Sequence, residues 1–279
     1  MKIVSVGEIT IDYYLKQNSI FVGGISLNFA VNAKRSGAEA ASLVSVVGDE
    51  PEGHWVLGLL ASEQVDYSHV AVLEGKTATC DIEVFSDAER VFPPGGYHEY
   101  TLSQLNLTDD VKAFINQHDI VASQYNGDEV GSIVAKILQM PKDGIKRVID
   151  FGDWANGRKK KVPEGIYQQI DLAFFSGDQD TVEQLKPIAQ ATNCQFVVTM
   201  GVGGSVAITA DELIWQPALK VDNPVDSTGC GDAFQAAFTV NYFNNQPIQK
   251  ALEAGAIHAS HVLTHYGAFD QPTFAPTSL

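Results

Sequence analysis

Short runs of β-branched and apolar residues, each closed by a glycine or a polar turn, alternate with helix-prone segments along most of this chain. That alternation constrains the fold more than any single motif. Residues 2–7 run apolar into Gly7 and residues 40–47 into Gly48 and Asp49, and 120–123, 148–151, 171–175 and 195–200 repeat the pattern. Short buried strands separated by helices build a doubly wound α/β sheet with helices on both faces. Pro51 stands at a first helical position before a helix over 52–62, and Thr108 opens another. Further helices are expected over 26–35, 129–139 and 234–243, and from 248 through 259 towards His265. Two stretches break the rhythm. Residues 9–22 are half polar, and 77–85 alternate with 90–92 about a turn at 86–89, so a small β-sheet outside the main one is expected. Pro93-Pro94-Gly95-Gly96 is expected to separate it from the main domain.

The chemistry concentrates in Val225-Asp226-Ser227-Thr228-Gly229-Cys230-Gly231-Asp232-Ala233-Phe234, a loop that feeds directly into a helix. The first turn of a helix leaves backbone N–H groups without partners at the positive end of the dipole, so an anion is expected at Gly229, Cys230 and Gly231. Asp232 then falls beside that anion. A second negative charge is out of place there unless it performs chemistry or binds a cation. A carboxylate beside an anion hole can take the proton of an attacking hydroxyl while a phosphoryl group is transferred. The plainer alternative is that Asp226 and Asp232 are helix-capping carboxylates.

Composition limits the partners. The 279 residues are enough for a sizeable core, and the formal net charge of -16 argues against a nucleic-acid backbone or an anionic membrane. A nucleotide-binding chain this acidic must build its positive field locally, from helix termini, a metal ion or a few basic side chains. Cys80, Cys194 and Cys230 are far apart and odd in number, which implies neither a disulfide framework nor a zinc site and fits a reducing cytoplasm. No run approaches the roughly 18 apolar residues of a membrane span.

The loop resembles the Asp-Thr-Thr-Gly-Ala-Gly-Asp signature of the ribokinase-like (PfkB) carbohydrate kinases, with Ser227 and Cys230 in place of Thr and Ala. A second family signature is matched by Gly23-Gly24-Ile25-Ser26-Leu27-Asn28-Phe29-Ala30 and a third by Thr199-Met200-Gly201-Val202-Gly203-Gly204, in the family's order and spacing. The resemblance implies one ribokinase-like domain over 1–279, a three-layer α/β/α doubly wound sheet with a small β lid formed by about 9–22 and 77–92. It implies transfer of the γ-phosphoryl group of ATP, with Mg2+, to a hydroxyl of a sugar or sugar derivative. Asp232 then takes the role of base, with Gly229, Cys230 and Gly231 forming the anion hole. Asp12, Gly23, Gly24 and Asn28 hold the sugar, while Thr199, Gly201, Gly204 and Gly267 line the nucleotide. Asp226 and the Ser227 carbonyl are expected to share a monovalent cation, K+, and the lid to join two chains into a homodimer. For Asn28 the pattern of its own helix also allows a solvent-facing position.

Some positions depart from the family or stand outside its signatures. Ser176 and Gln179 occupy the usual Asn-x-x-Glu, with Asp178 and Asp180 as substitute magnesium ligands. Asp150 and Asp153 are expected at the cleft, and Arg158-Lys159-Lys160-Lys161 as a solvated face or a phosphate clamp. His258, His261 and His265 fall at i, i+3 and i+7 and are expected to pack beside the adenine or the sheet rather than to bind metal. The short lid, the Asp-Phe-x-Asp of 150–153, the Ser-x-x-Gln departure and the His-Tyr-Gly-Ala-Phe end resemble the fructoselysine 6-kinase branch.

Overall fold

The structure is a computed structural model describing residues 1–127, 132–155 and 162–274. The expected helical residues 129–131 and the basic run Arg158-Lys159-Lys160-Lys161 lie outside the described residues. The chain opens with β1 (Lys2–Val6), β2 (Thr10–Tyr14), β3 (Ser19–Gly23), α1 (Ile25–Arg35), β4 (Ala40–Gly48), α2 (Pro51–Ser62) and β5 (Val65–Leu73). It continues through β6 (Thr79–Val84), β7 (Arg90–Val91), β8 (Tyr97–His98), α3 (Asp109–Ile115), β9 (Ile120–Gln124), α4 (Ile133–Gln139) and β10 (Lys146–Asp153). The last third holds β11 (Leu172–Ser176), α5 (Gln179–Ala191), β12 (Gln195–Thr199), β13 (Ser205–Ile208), β14 (Leu213–Gln216), α6 (Cys230–Phe243) and α7 (Ile248–Val262).

Nine strands form the main sheet in the order β14-β13-β12-β11-β10-β9-β1-β4-β5. It is parallel from β5 to β12, while β13 and β14 return antiparallel. Side chains of successive strand residues point to opposite faces, so each apolar run feeds two cores at once. Val148 and Phe174 join Phe29, Phe234 and Phe238 under α1, α6 and α7, whereas their neighbours Ile149 and Phe175 pack with Val182 and Leu185 of α5. Burying each such side chain contributes about 1.5–3 kcal/mol, and both faces of the sheet are covered.

The second sheet runs β3-β2-β6-β7, with β8 also on β6. Its inner face buries Tyr14, Phe21, Ile82 and Val84. Pro93-Pro94-Gly95-Gly96 does not end this sheet, contrary to the sequence reading. Asp81 N donates to Gly96 O at 2.8 Å, and β8 pairs with Thr79 and Cys80 while β7 pairs with Glu83 and Val84. The prolines remove donors only where the edge bulges between its two short pieces. The edge strand β5 escaped the sequence reading because its burial does not alternate.

Candidate active site

Two glycines bring the elements of the site together. Gly24 caps α1 with φ 98, and a Cβ there would stand 2.7 Å from Ile9 Cα and 2.8 Å from Glu8 O. A side chain is therefore excluded by space as well as by dihedral, and the helix starts directly against the turn between β1 and β2. Gly229 caps α6 with φ 74, its missing Cβ filled by Ala268. The first turn of α6 and the first turn of α1 thus converge. Asn28 is 4% exposed, and its Nδ2 donates to Asp232 Oδ2 at 2.8 Å, so the solvent-facing alternative for Asn28 is wrong.

Asp232 is half-buried at the start of α6. Burial pushes its carboxyl up to about 7, Asp150 and Glu8 add to the rise, and Asn28 and Arg90 oppose it. Asp12 on β2 is fully enclosed and is likewise pushed up to about 7, by burial first and then by Glu8, Asp226 and Asp232, against a 2.6 Å hydrogen bond from Thr10 Oγ1. A Cβ on Gly23 would overlap the Asp12 carboxylate, so a side chain there would push that carboxylate out of place. Both carboxyls change charge near neutrality, the range in which a general base works best. The Oδ1 of Asn28 is buried without a hydrogen-bond partner, an acceptor waiting for a donor.

No side chain caps α6. Ala233 N donates to Gly229 O at 2.9 Å and Cys230 N closes the turn onto Ser227 O at 3.3 Å. Among the described residues no partner meets the amides of Gly231 and Asp232, and the space above Gly231 is open. The helix therefore presents bare donors and its positive end to that space. Cys230 contributes backbone rather than thiol chemistry, since burial pushes its thiol up to about 12.

Asp226 lies beneath the loop, fully buried, and takes four hydrogen bonds. They come from Tyr14 Oη at 2.6 Å, Thr228 N at 2.8 Å, Thr228 Oγ1 at 2.7 Å and Gly267 N at 2.9 Å. A carboxylate offers about four lone-pair sites, and here protein donors occupy them. Asp226 thereby fastens β2, the loop and the Gly267 turn to one another.

The remaining expected site residues lie further along the same edge. Thr199 and Ser176 are register partners at the carboxyl ends of β12 and β11, with Oγ atoms 3.4 Å apart, and Asp153 pairs with Ser176 from β10. Gly201 opens a 3-10 turn after β12, and Gly204 has its missing side chain blocked by the β14 exit. β12 is four strand spacings from β1, about 19 Å. Asp178 caps α5, its Oδ1 accepting from Thr181 N and Oγ1 at 2.9 Å each, and Gln179 and Asp180 are exposed. The substitute magnesium ligands are thus a helix cap and a surface residue. His258 stands 3.4 Å from Ser36 Oγ beyond the last turn of α1, about 16 Å of helix from its start. His265 turns to Tyr266 O at 3.2 Å. His261 and His265 pack edge to face with ring centroids 5.8 Å apart, and His258 lies far from the carboxylates.

The sequence reading missed Thr10, Tyr14 and Arg90, each a lone polar residue inside a stretch read only as strand. Arg90 Nη1 donates to Ser227 Oγ at 3.2 Å.

Residues 1–273 match the family model described as pfkB family carbohydrate kinase, and the chain belongs to that family. It is a sugar kinase, a phosphotransferase acting on sugar hydroxyls. Fructosamine kinase FrlD of Bacillus subtilis is 27% identical over 278 residues, covering 96% of this chain and 93% of its own. The adenosine kinase of Sinorhizobium meliloti has the same fold, with a TM-score of 0.82 and 15% identity over 98% of this chain and 96% of its own. So has an Arabidopsis thaliana ribokinase solved with ribose and ATP, with a TM-score of 0.76 and 20% identity over 96% of this chain and 94% of its own.

Proposed function

We propose that the chain is a fructosamine kinase of the fructoselysine 6-kinase type, transferring the γ-phosphoryl group of ATP to a sugar hydroxyl with Asp232 as general base. The observation that carries this reading is the Asn28–Asp232 pair at the uncapped start of α6. It sets a carboxyl that titrates near neutrality beside bare amide donors, with the unpartnered Asn28 Oδ1 available to a sugar hydroxyl. The acceptor oxygen gives its proton to Asp232 while the helix terminus meets the transferred charge. Mg2+, which would neutralise charge on the ATP phosphates, would need only one or two protein carboxylates beside water. Asp150 and Asp153 at the end of β10 are oxygen donors suited to that, beside Ser176.

The choice of acceptor rests on charge. Glu8, Asp226 and Asp232 raise the proton affinity of Asp12, Asp150 and Glu8 raise that of Asp232, and the guanidinium of Arg90 is engaged with the loop. Such a pocket repels a sugar phosphate and attracts an ammonium group, which a fructosamine carries. The relative with 27% identity over nearly the whole chain is itself a fructosamine kinase. A coupled ADP-release screen over free sugars, sugar phosphates, nucleosides and fructosamines tests the reading. The highest kcat/KM is expected with a fructosamine. A nucleoside, ribose or fructose ranking first would replace that substrate with the same-family alternative, and no ADP with any acceptor would leave a sugar-binding regulator.

The same reading extends to a homodimer through the small sheet. Leu15, Phe85, Val91 and Phe92, in and beside its strands, are 50%, 45%, 48% and 53% exposed, apolar side chains that a second lid would cover.

A further inference from the structure

The basic group at the phosphate-facing turn comes from the other sheet. Arg90 begins β7, in the hairpin of the small sheet, and reaches Ser227 Oγ at 3.2 Å. Ser227 N in turn donates to Ala88 O at 2.9 Å, and Ala88 is 3% exposed in the hairpin turn. The hairpin tip is thus fastened to the loop at two neighbouring points. Cation contact with the Phe92 ring, 5.6 Å from the guanidinium carbon, steadies the arginine from its own strand. Its charge lowers the proton affinity of both Asp232 and Cys230.

A guanidinium clipped to a serine hydroxyl has donors to spare, since it carries five N–H groups in a fixed fork matched to phosphate oxygens. The site also needs a cation. Carboxylates crowd it from every side, and bringing in a polyphosphate adds more negative charge. We propose that Arg90 is a catalytic residue whose guanidinium passes from Ser227 Oγ to the oxygens of the phosphoryl group in flight, so that the sheet covering the sugar also delivers the positive charge of the transition state. This rests on the kinase reading above. The acceptor oxygen forms its bond to the γ-phosphorus as its proton goes to Asp232, the bond from phosphorus to the bridging oxygen breaks, and ADP leaves with that electron pair. Arg90 exchanges no proton and stabilises charge throughout. Seating of the hairpin and completion of the anion site become one event, which ties turnover to closure over the acceptor.

The test compares Arg90→Ala and the bulkier Arg90→Gln with the wild-type chain at saturating ATP and acceptor. A transition-state arginine is worth about 1,000- to 100,000-fold in kcat, so losses of that order are expected in both variants, with acceptor KM changed by less than about threefold. Added guanidinium ion is expected to restore part of the rate of Arg90→Ala. The acid limb of kcat/KM is expected to move to higher pH in both variants. The groups that set it are Asp232 itself on α6, Asn28 on α1, Glu8 after β1, Asp12 on β2 and Asp150 on β10, all of which remain. A purely structural clip predicts something different, a lower melting temperature and higher KM with no rescue and no shift of the acid limb. That result, or wild-type kcat in either variant, overturns the proposal while leaving the kinase reading intact. Wild-type protein that releases no ADP with any acceptor overturns the reading beneath it.

Discussion

Asn28 and Asp232, 204 positions apart in sequence, meet through one hydrogen bond of 2.8 Å. It joins the first turn of the helix after the Gly-Gly motif to the first turn of the helix after the phosphate loop. The amide has two tasks. Its nitrogen donates to the Asp232 carboxylate and partly offsets the rise in proton affinity, and its buried oxygen has no protein partner, which under the proposed reading leaves it to an acceptor hydroxyl.

Asn28→Ala is therefore expected to act on both. Losing the acceptor and its hydrogen bond costs about 1–3 kcal/mol of kcat/KM, and the acid limb moves to higher pH because a stabiliser of the carboxylate is gone. Nucleotide affinity is expected to stay unchanged. Isothermal titration with a non-hydrolysable ATP analogue, beside pH-resolved kinetics, checks this. Weakened nucleotide binding with unchanged acceptor kinetics would reverse the two halves of the cleft.

The two raised carboxyls make stability depend on pH. Asp12 and Asp232 each bind a proton more tightly folded than unfolded, with a folded pKa of about 7 against an ordinary value of 3.8. Their contribution is full below the unfolded value and is lost as pH rises through about 7. Asp12→Asn removes one such group, so its melting temperature relative to wild type is expected to climb between about pH 4 and about pH 7 and then level off. A difference that stays flat across that window would mean Asp12 is not held in a raised state.

How much was legible in the sequence divides along physical lines. Local signals placed the inner strands of the main sheet, though not its edges β5 and β14, and helix starts: Pro51, Thr108 and the glycines of the loop act within a few residues of themselves. Asp232 was legible in its own loop, Asp12, Gly23, Gly24 and Asn28 came through the resemblance, and the structure gathers them. What was not legible depends on long-range geometry. Nothing near Tyr14 announces that its hydroxyl ends on Asp226, 212 positions later, and nothing near Asp178 distinguishes a cap from a ligand. The break expected at Pro93 failed because a proline pair stops a ladder only where its N–H groups are needed.

The saturation of Asp226 gives a prediction about ions. With Tyr14, Thr228 and Gly267 supplying four donors, its carboxylate has no lone pair to offer a cation. Activity in buffer free of sodium and potassium is expected to stay level as potassium is added. Tyr14→Phe should lower stability by about 1–3 kcal/mol, the cost of a buried acceptor losing its donor. Activation by potassium would place a cation at this loop after all.

A dimer joined through the small sheet has a measurable mass. Sedimentation at micromolar concentration is expected to give twice the 30.1 kDa of one chain, and Phe92→Asp to give the single mass with the fold intact. Val84 is an unsuitable probe, since it is buried beneath its own sheet at 4% exposure. A single-chain mass for the wild type would leave the exposed apolar side chains of the small sheet unaccounted for.

Whether Asp232 takes the acceptor's proton is decided most directly by Asp232→Asn, in which the hydrogen bond to Asn28 is still geometrically available. Single-turnover ADP formation, measured with acceptor and ATP both saturating, is expected to fall about 100- to 10,000-fold, while acceptor binding measured by calorimetry stays within a few-fold of wild type. Turnover at the wild-type rate in Asp232→Asn would contradict that role.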